Sequence, residues 1–209
     1  MYTKIAEIKI FIGLILISSL APAAHASESK YGLFVEPAIT YEVGDNTVNF
    51  PSPLSNSTGS TNGLGLGARV GFHLYDVLFL GLDGRFSMPN FKNSSRDYDA
   101  SSVAANWGPV IGMQTPVVGL RVWGSIILGG SLDPERSGNF DVKFTDGSGF
   151  RIGAGFLVSL VSLNLEYQHI DYDKTTLEQI GPFSSGTTLN GVNLENNSII
   201  ASVSFPYAL

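Results

Sequence analysis

Residues 64–74 read LGLGARVGFHL, and the fold turns on that order. Leu64, Leu66, Ala68, Val70, Phe72 and Leu74 take every second position, with Gly65, Gly67, Arg69, Gly71 and His73 between them. A period of two gathers apolar side chains on one face of an extended strand; at helical spacing they would scatter round the axis. The alternation continues along the chain. Leu78, Leu80, Leu82 and Phe86 stand opposite Gly81, Asp83 and Arg85, and Val118, Leu120, Val122, Ile126 and Leu128 stand opposite Gly119, Arg121 and Ser125. Phe150, Ile152, Ala154, Phe156 and Val158 follow, then Val161, Leu163, Leu165 and Tyr167, and finally Ile199, Ala201, Val203, Phe205, Tyr207 and Leu209. Two weaker segments run through Leu33, Val35, Ile39 and Tyr41 and through Val103, Ala105, Trp107, Ile111 and Met113. Together they predict eight strands, each near the roughly ten residues that a tilted membrane-crossing strand requires.

Connection lengths alternate as well. Tyr75-Asp76, Thr115-Pro116 and Ser159-Leu160 read as tight turns. Segments 44–62, 89–100, 130–141 and 172–196, rich in Ser, Asn, Gly, Thr, Pro and Asp, read as long loops. Short turns at one end and long loops at the other are the habit of an up-and-down barrel with an even number of strands. The expectation is therefore an all-β chain forming an eight-stranded antiparallel up-and-down transmembrane β-barrel over residues 27–209. Pro37 and Pro109 fall inside proposed strands, where each removes a ladder hydrogen bond, so a bulge or a strand end is expected beside them.

Composition bounds the function. A chain of 209 residues fits one domain. Its 14 % of charged residues, against roughly 25 % in soluble globular proteins, and its mean hydropathy of +0.17 disfavour both disorder and an ordinary water-facing surface. With no cysteine, disulfides, thiolate catalysis and zinc–cysteine sites are excluded. The net charge of −6 argues against nucleic acid as a partner. Residues 1–26 read as an export signal: Lys4 and Lys9 precede the apolar run Ile10 to Leu20, too short for a spanning helix of about 20 residues. Ala24-His25-Ala26 then supplies the small-x-small cleavage pattern, so the mature chain is expected to begin at Ser27.

Alternation alone does not say which face meets lipid. A water-facing second face would carry many Lys, Glu and Asp, whereas this one holds mainly Gly, Ser and Asn, as a narrow lumen does. Its isolated charges are Glu36, Arg69, Asp83, Arg85, Arg121, Arg151 and Glu166, all at mid-strand and at comparable heights. Four guanidinium forks among three carboxylates predict an ion-pair network across the lumen. Trp123 and Ile127 also point inward by phase and predict a filled lumen at their level. Outward aromatics fall in two bands, Tyr31, Phe72, Phe156, Phe205 and Tyr207 near the short turns and Tyr41, Phe86, Phe150 and Tyr167 toward the loops, which suits two interfacial girdles.

The export signal, the strand pattern, the connection asymmetry and the segment LNLEYQHIDY over 163–172 resemble the small outer-membrane barrel family typified by the OmpA transmembrane domain and the opacity proteins. The resemblance implies a bacterial outer-membrane location and a structural, adhesive or narrow-pore role, without catalysis or cofactors. It also implies outer-membrane lipids and lipopolysaccharide as surroundings, with an extracellular ligand met through the long loops. Leu209 stands where that family usually has an aromatic residue. No phosphate loop, nucleophile elbow or metalloprotease motif occurs. His169 with Asp171 and Asp173 forms a short acidic group, read as a solvated strand rim rather than a catalytic or metal site. A low-conductance pore and a lipid-modifying or proteolytic barrel enzyme remain as alternative readings.

Overall fold

A computed structural model describes residues 31–75, 77–93, 98–115, 119–137 and 140–209. The export segment 1–26, Asp76, Pro116 and Val118 lie outside them. The chain forms β1 (Tyr31–Asn49), β2 (Ser57–Leu74), β3 (Leu78–Asn93), β4 (Tyr98–Gln114), β5 (Leu120–Ile127) and β6 (Gly129–Pro134). There follow β7 (Phe140–Val158), β8 (Val161–Ile180), β9 (Phe183–Leu189), β10 (Asn193–Ser204) and β11 (Tyr207–Ala208). Every pairing is antiparallel between neighbours, and β1 pairs with β2 on one side and with β10 and β11 on the other, so the sheet closes. Because β5 and β6 form one broken stave, as do β10 and β11, the ring has eight staves; β9 is a hairpin extension on β8.

Both breaks lie beside the two prolines. Val110 to Trp107 on β4 spans three steps, while the partners Ser125 to Gly129 span four, so one extra residue bulges out opposite Gly108 and Pro109. β10 and β11 part at Phe205 and Pro206 opposite Glu36 and Pro37, where only the Phe205 amide donates, to the Pro37 carbonyl. Tight turns follow β2 and β7, with Tyr75 and Ser159 at φ of 55° and 59°, the left-handed conformation such turns demand.

The long loops expected at the other end are largely absent. Residues 44–49, 57–62, 89–93 and 98–100 belong to strands, and β7 and β8 run for 19 and 20 residues. The loop expectation rested on Ser, Asn, Thr and Gly content, but these residues stay extended once both neighbours are strands and the inner face carries something to bury. An inner face does exist there. Val48, Phe91, Ile127, Leu132, Phe144, Ile170, Tyr172 and Leu194 point into the barrel and pack together. The outward positions beside them are polar: Asp45, Asn62, Lys92, Asp99, Asp171 and Asp173. Below, the order inverts, with Leu64, Leu82, Ile111, Ile126, Leu165 and Ile199 exposed on the outside and polar side chains within. The outward apolar band, with Phe72 and Phe156 at one rim and Phe86 and Phe150 at the other, is the surface of a transmembrane barrel.

Candidate functional site

All seven charges of the expected network point into the lumen, and they meet. Glu36 on β1, Arg69 on β2 and Asp83 on β3 are direct cross-strand neighbours, so one row of the sheet carries acid, base and acid side by side. Arg85 follows Asp83 by two residues on the same inner face; Arg121, Arg151 and Glu166 arrive from β5, β7 and β8 across the lumen. Small residues make the room. A side chain at Gly67 would crowd the Arg85 side chain, and one at Gly153 would occupy the place of the Trp123 indole.

The strongest unit is a bidentate fork: Arg121 Nη1 and Nη2 donate to the two Glu36 oxygens at 2.8 and 2.7 Å. The other three arginines share Asp83 and Glu166, and Arg69 Nη1 also lies 3.5 Å from Glu36 Oε1. Asp83 accepts from Arg69 Nε at 2.8 Å and Arg85 Nε at 2.8 Å and faces Arg151 Nη1 at 3.2 Å. Glu166 accepts from Arg85 Nη2 at 2.9 Å, with Arg69 and Arg151 at 3.5 and 3.7 Å. Ser204 Oγ donates to Glu36 at 2.6 Å and Ser202 Oγ to Glu166 at 3.2 Å. Arg151 Nη2 donates to Asn106 Oδ1 at 2.6 Å and also to Gln168. Glu36, Asp83 and Glu166 are each 1 % exposed and Arg121 not at all, so these charges have exchanged hydration for one another.

Two further layers flank the charges. Toward the short turns, Phe34, Phe79, Val110 and Trp123 form an apolar floor. It meets the network directly, with the Arg69 guanidinium carbon 4.2 Å from the Trp123 ring centroid and that of Arg121 5.3 Å from Phe79. Above lies Glu42, which accepts from Ser87 Oγ at 3.0 Å, and then the apolar cluster of the projecting half. Sequence reasoning missed Glu42. Its signal was available, since Glu42 lies six residues from Glu36 and so shares its strand face, but it fell at the edge of a segment read as a loop. With Glu42 counted, the described residues place four carboxylates and four arginines at this level of the lumen.

His169 lies on the outer wall, 24 % exposed at its side chain. Its Nδ1 is 2.8 Å from Asn197 Oδ1 and its Nε2 3.2 Å from Asp171 Oδ2. Asp173, grouped with them by sequence, is on the same wall but outside that array. Among the described residues no group of His, Cys, Asp and Glu suits a metal ion.

No protein-family model and no curated protein matches the chain. Among solved structures it is similar to the outer membrane protein AlkL, with a TM-score of 0.52 and 15 % identity over 90 % of this chain and 96 % of that one. It is similar too to the outer membrane protein OprG from Pseudomonas aeruginosa, with a TM-score of 0.51 and 11 % identity over 86 % of this chain and 98 % of that one. The chain has the fold of the small outer-membrane β-barrels.

Proposed function

We propose that the protein is an integral barrel of the bacterial outer membrane with a structural or surface-interaction role, and that its lumen is closed to solutes. The observation that carries this reading is the layering of the lumen: an apolar floor, four arginines engaged with buried carboxylates, and an apolar cluster stacked along one axis. The gap beside Glu36, Arg69 and Arg85 is too narrow to admit a water-sized sphere. A conducting pore needs a continuous wet path, and three layers in series oppose one. The reading is non-enzymatic: among the described residues His169 has an amide oxygen and a carboxylate as its ring partners, with no hydroxyl nucleophile against it.

In this reading the apolar band contacts outer-membrane lipids, lipopolysaccharide surrounds the projecting half, and an extracellular ligand is met at its crown. Two measurements test it. Single cysteines are clean probes because the chain has none. In intact cells Ser55→Cys and Ser137→Cys label with an impermeant maleimide and Thr115→Cys does not; the reverse pattern overturns the topology. In planar bilayers the refolded protein gives no steady conductance step, and a large steady step identifies an open pore instead.

A further inference from the structure

The chain contains two Asn-Gly steps, Asn62-Gly63 and Asn190-Gly191, and the fold treats them oppositely. Such a step is reactive because glycine has no side chain to shield its backbone nitrogen, which is then free to attack the carboxamide before it. Asn62 and Gly63 lie inside β2 and are held from both sides, Asn62 opposite Val43 and Asn90, Gly63 opposite Glu42 and Pro89. A paired, extended backbone cannot turn that nitrogen onto the asparagine side chain. Asn190 and Gly191 instead form the turn between β9 and β10. Both are exposed, and Gly191 stands at φ 75°, a conformation that suits glycine in a turn. Among the described residues neither the Asn190 side chain nor the Gly191 N–H has a hydrogen-bond partner. Asn56 is exposed as well, but its Oδ1 accepts from the Phe50 N–H at 3.2 Å and the Ser57 that follows it is buried.

We infer that Asn190 is a site of self-modification, where the turn converts to isoaspartate with water as the only co-reactant. The Gly191 nitrogen attacks Asn190 Cγ. A bond forms between them, the Cγ–Nδ2 bond breaks, and Nδ2 leaves as ammonia, with the Gly191 N–H proton passing to solvent and one from solvent to the leaving nitrogen. Water then opens the five-membered imide. Cleavage at Cγ gives aspartate, and cleavage at the Asn190 backbone carbonyl gives isoaspartate, in which the chain runs through Cβ and Cγ. No electron transfer is involved.

The place of the turn gives the reaction a consequence. Val192, 8 % exposed, belongs to the apolar cluster of the projecting half, and its carbonyl accepts from Thr175 Oγ1 at 2.8 Å. Leu189, on the other side of the turn, packs against the same cluster. Isoaspartate lengthens the backbone by one methylene between these two anchors and adds a carboxylate. Both cannot keep their seats, so the modification loosens the crown at β8, where Thr175 loses its acceptor.

The full mature chain, refolded in phosphatidylcholine vesicles, is incubated at neutral pH beside free peptides spanning each Asn-Gly step. Digests are sequenced by electron-transfer mass spectrometry, which separates aspartate from isoaspartate. Conversion at Asn190 is expected to keep pace with its free peptide and to outrun that at Asn62 by about tenfold or more, since Asn62 reacts only when its strand opens. Incubated protein is expected to gain a trypsin cut at Lys174. Asn190→Gln, whose longer side chain closes the ring poorly, and fresh Asn190→Asp, which carries the charge without the longer backbone, are expected to resist that cut. An unconverted Asn190 after its free peptide has reacted, or equal conversion at Asn62, overturns the site. Isoaspartate at position 190 without new cutting at Lys174 overturns the loosening of the crown.

Discussion

The membrane half and the projecting half of this barrel are built on the same eight staves, yet one is the other turned inside out. In the membrane half, Leu82 and Leu165 face out while Asp83 and Glu166, their chain neighbours, face in. In the projecting half Asp171 faces out while Ile170 and Tyr172 face in. The strand geometry hardly changes; what changes is the solvent outside. Where lipid surrounds the wall, outward side chains must be apolar and the lumen takes the polar ones, which then need partners of their own. Where water surrounds the wall, the ordinary burial of apolar side chains resumes. One barrel thus carries an electrostatic core and a hydrophobic core in series.

The comparison breaks most readily at Glu36. Replacing it by Ala leaves the fully buried Arg121 uncompensated, and a loss of about 3–5 kcal/mol is expected in urea unfolding from lipid vesicles. Glu36→Gln/Arg121→Met is expected to recover part of that loss. In the upper core, Ile170→Ala removes a side chain with no exposure, and about 2–4 kcal/mol is expected. The effect is also local: trypsin is expected to cut at Lys143 and Lys174 while the membrane half stays protected. Glu42 sits between the two regimes. With Ser87 as its one side-chain hydrogen-bond donor, Glu42→Gln is expected to cost no more than about 1 kcal/mol, well short of the change at Glu36.

The smallest effect separates the halves by pH. Tyr98, on the projecting half, has its hydroxyl pushed up to about 12, chiefly by burial and then by Asp141 and Asp133. Since its folded value lies above the unfolded one near 10, the stability its neutral form contributes is complete below that value. It is lost as the pH rises through 12. Tyrosinate absorbance is expected to show Tyr98 ionising after the exposed tyrosines and before the more deeply buried Tyr172, and Tyr98→Phe to remove one tyrosine's share of that late rise.

Much of the barrel was legible because alternation is a local signal. Each outward apolar residue from Leu64 to Phe72 and from Phe150 to Val158 is where its phase puts it, and the seven inward charges follow from the same count. The projecting half was illegible for a physical reason. Loop-like composition is a statement about single residues, whereas the extension is stabilised by residues far apart in the chain, Phe91 against Phe144 and Val48 against Leu194. Partner choice in the network was hidden too. That Arg121 takes Glu36 depends on how the staves face one another across the lumen, which no spacing along one strand encodes.

Ser204 donates to Glu36, and the two are 168 residues apart, on the last long strand and the first. Glu36 also holds Arg121 from the opposite wall. Closing the ring therefore both fills the Glu36 hydrogen-bond sites and brings its charge against Arg121, and a partly assembled sheet carries guanidinium and carboxylate groups without their partners. Such intermediates are disfavoured by the cost of a lone charge away from water, several kcal/mol for each group. Charge pairing across the lumen thus acts as a cooperativity device: closure of the ring and folding of the membrane half become a single event, with few stable stopping points between an open sheet and the finished barrel.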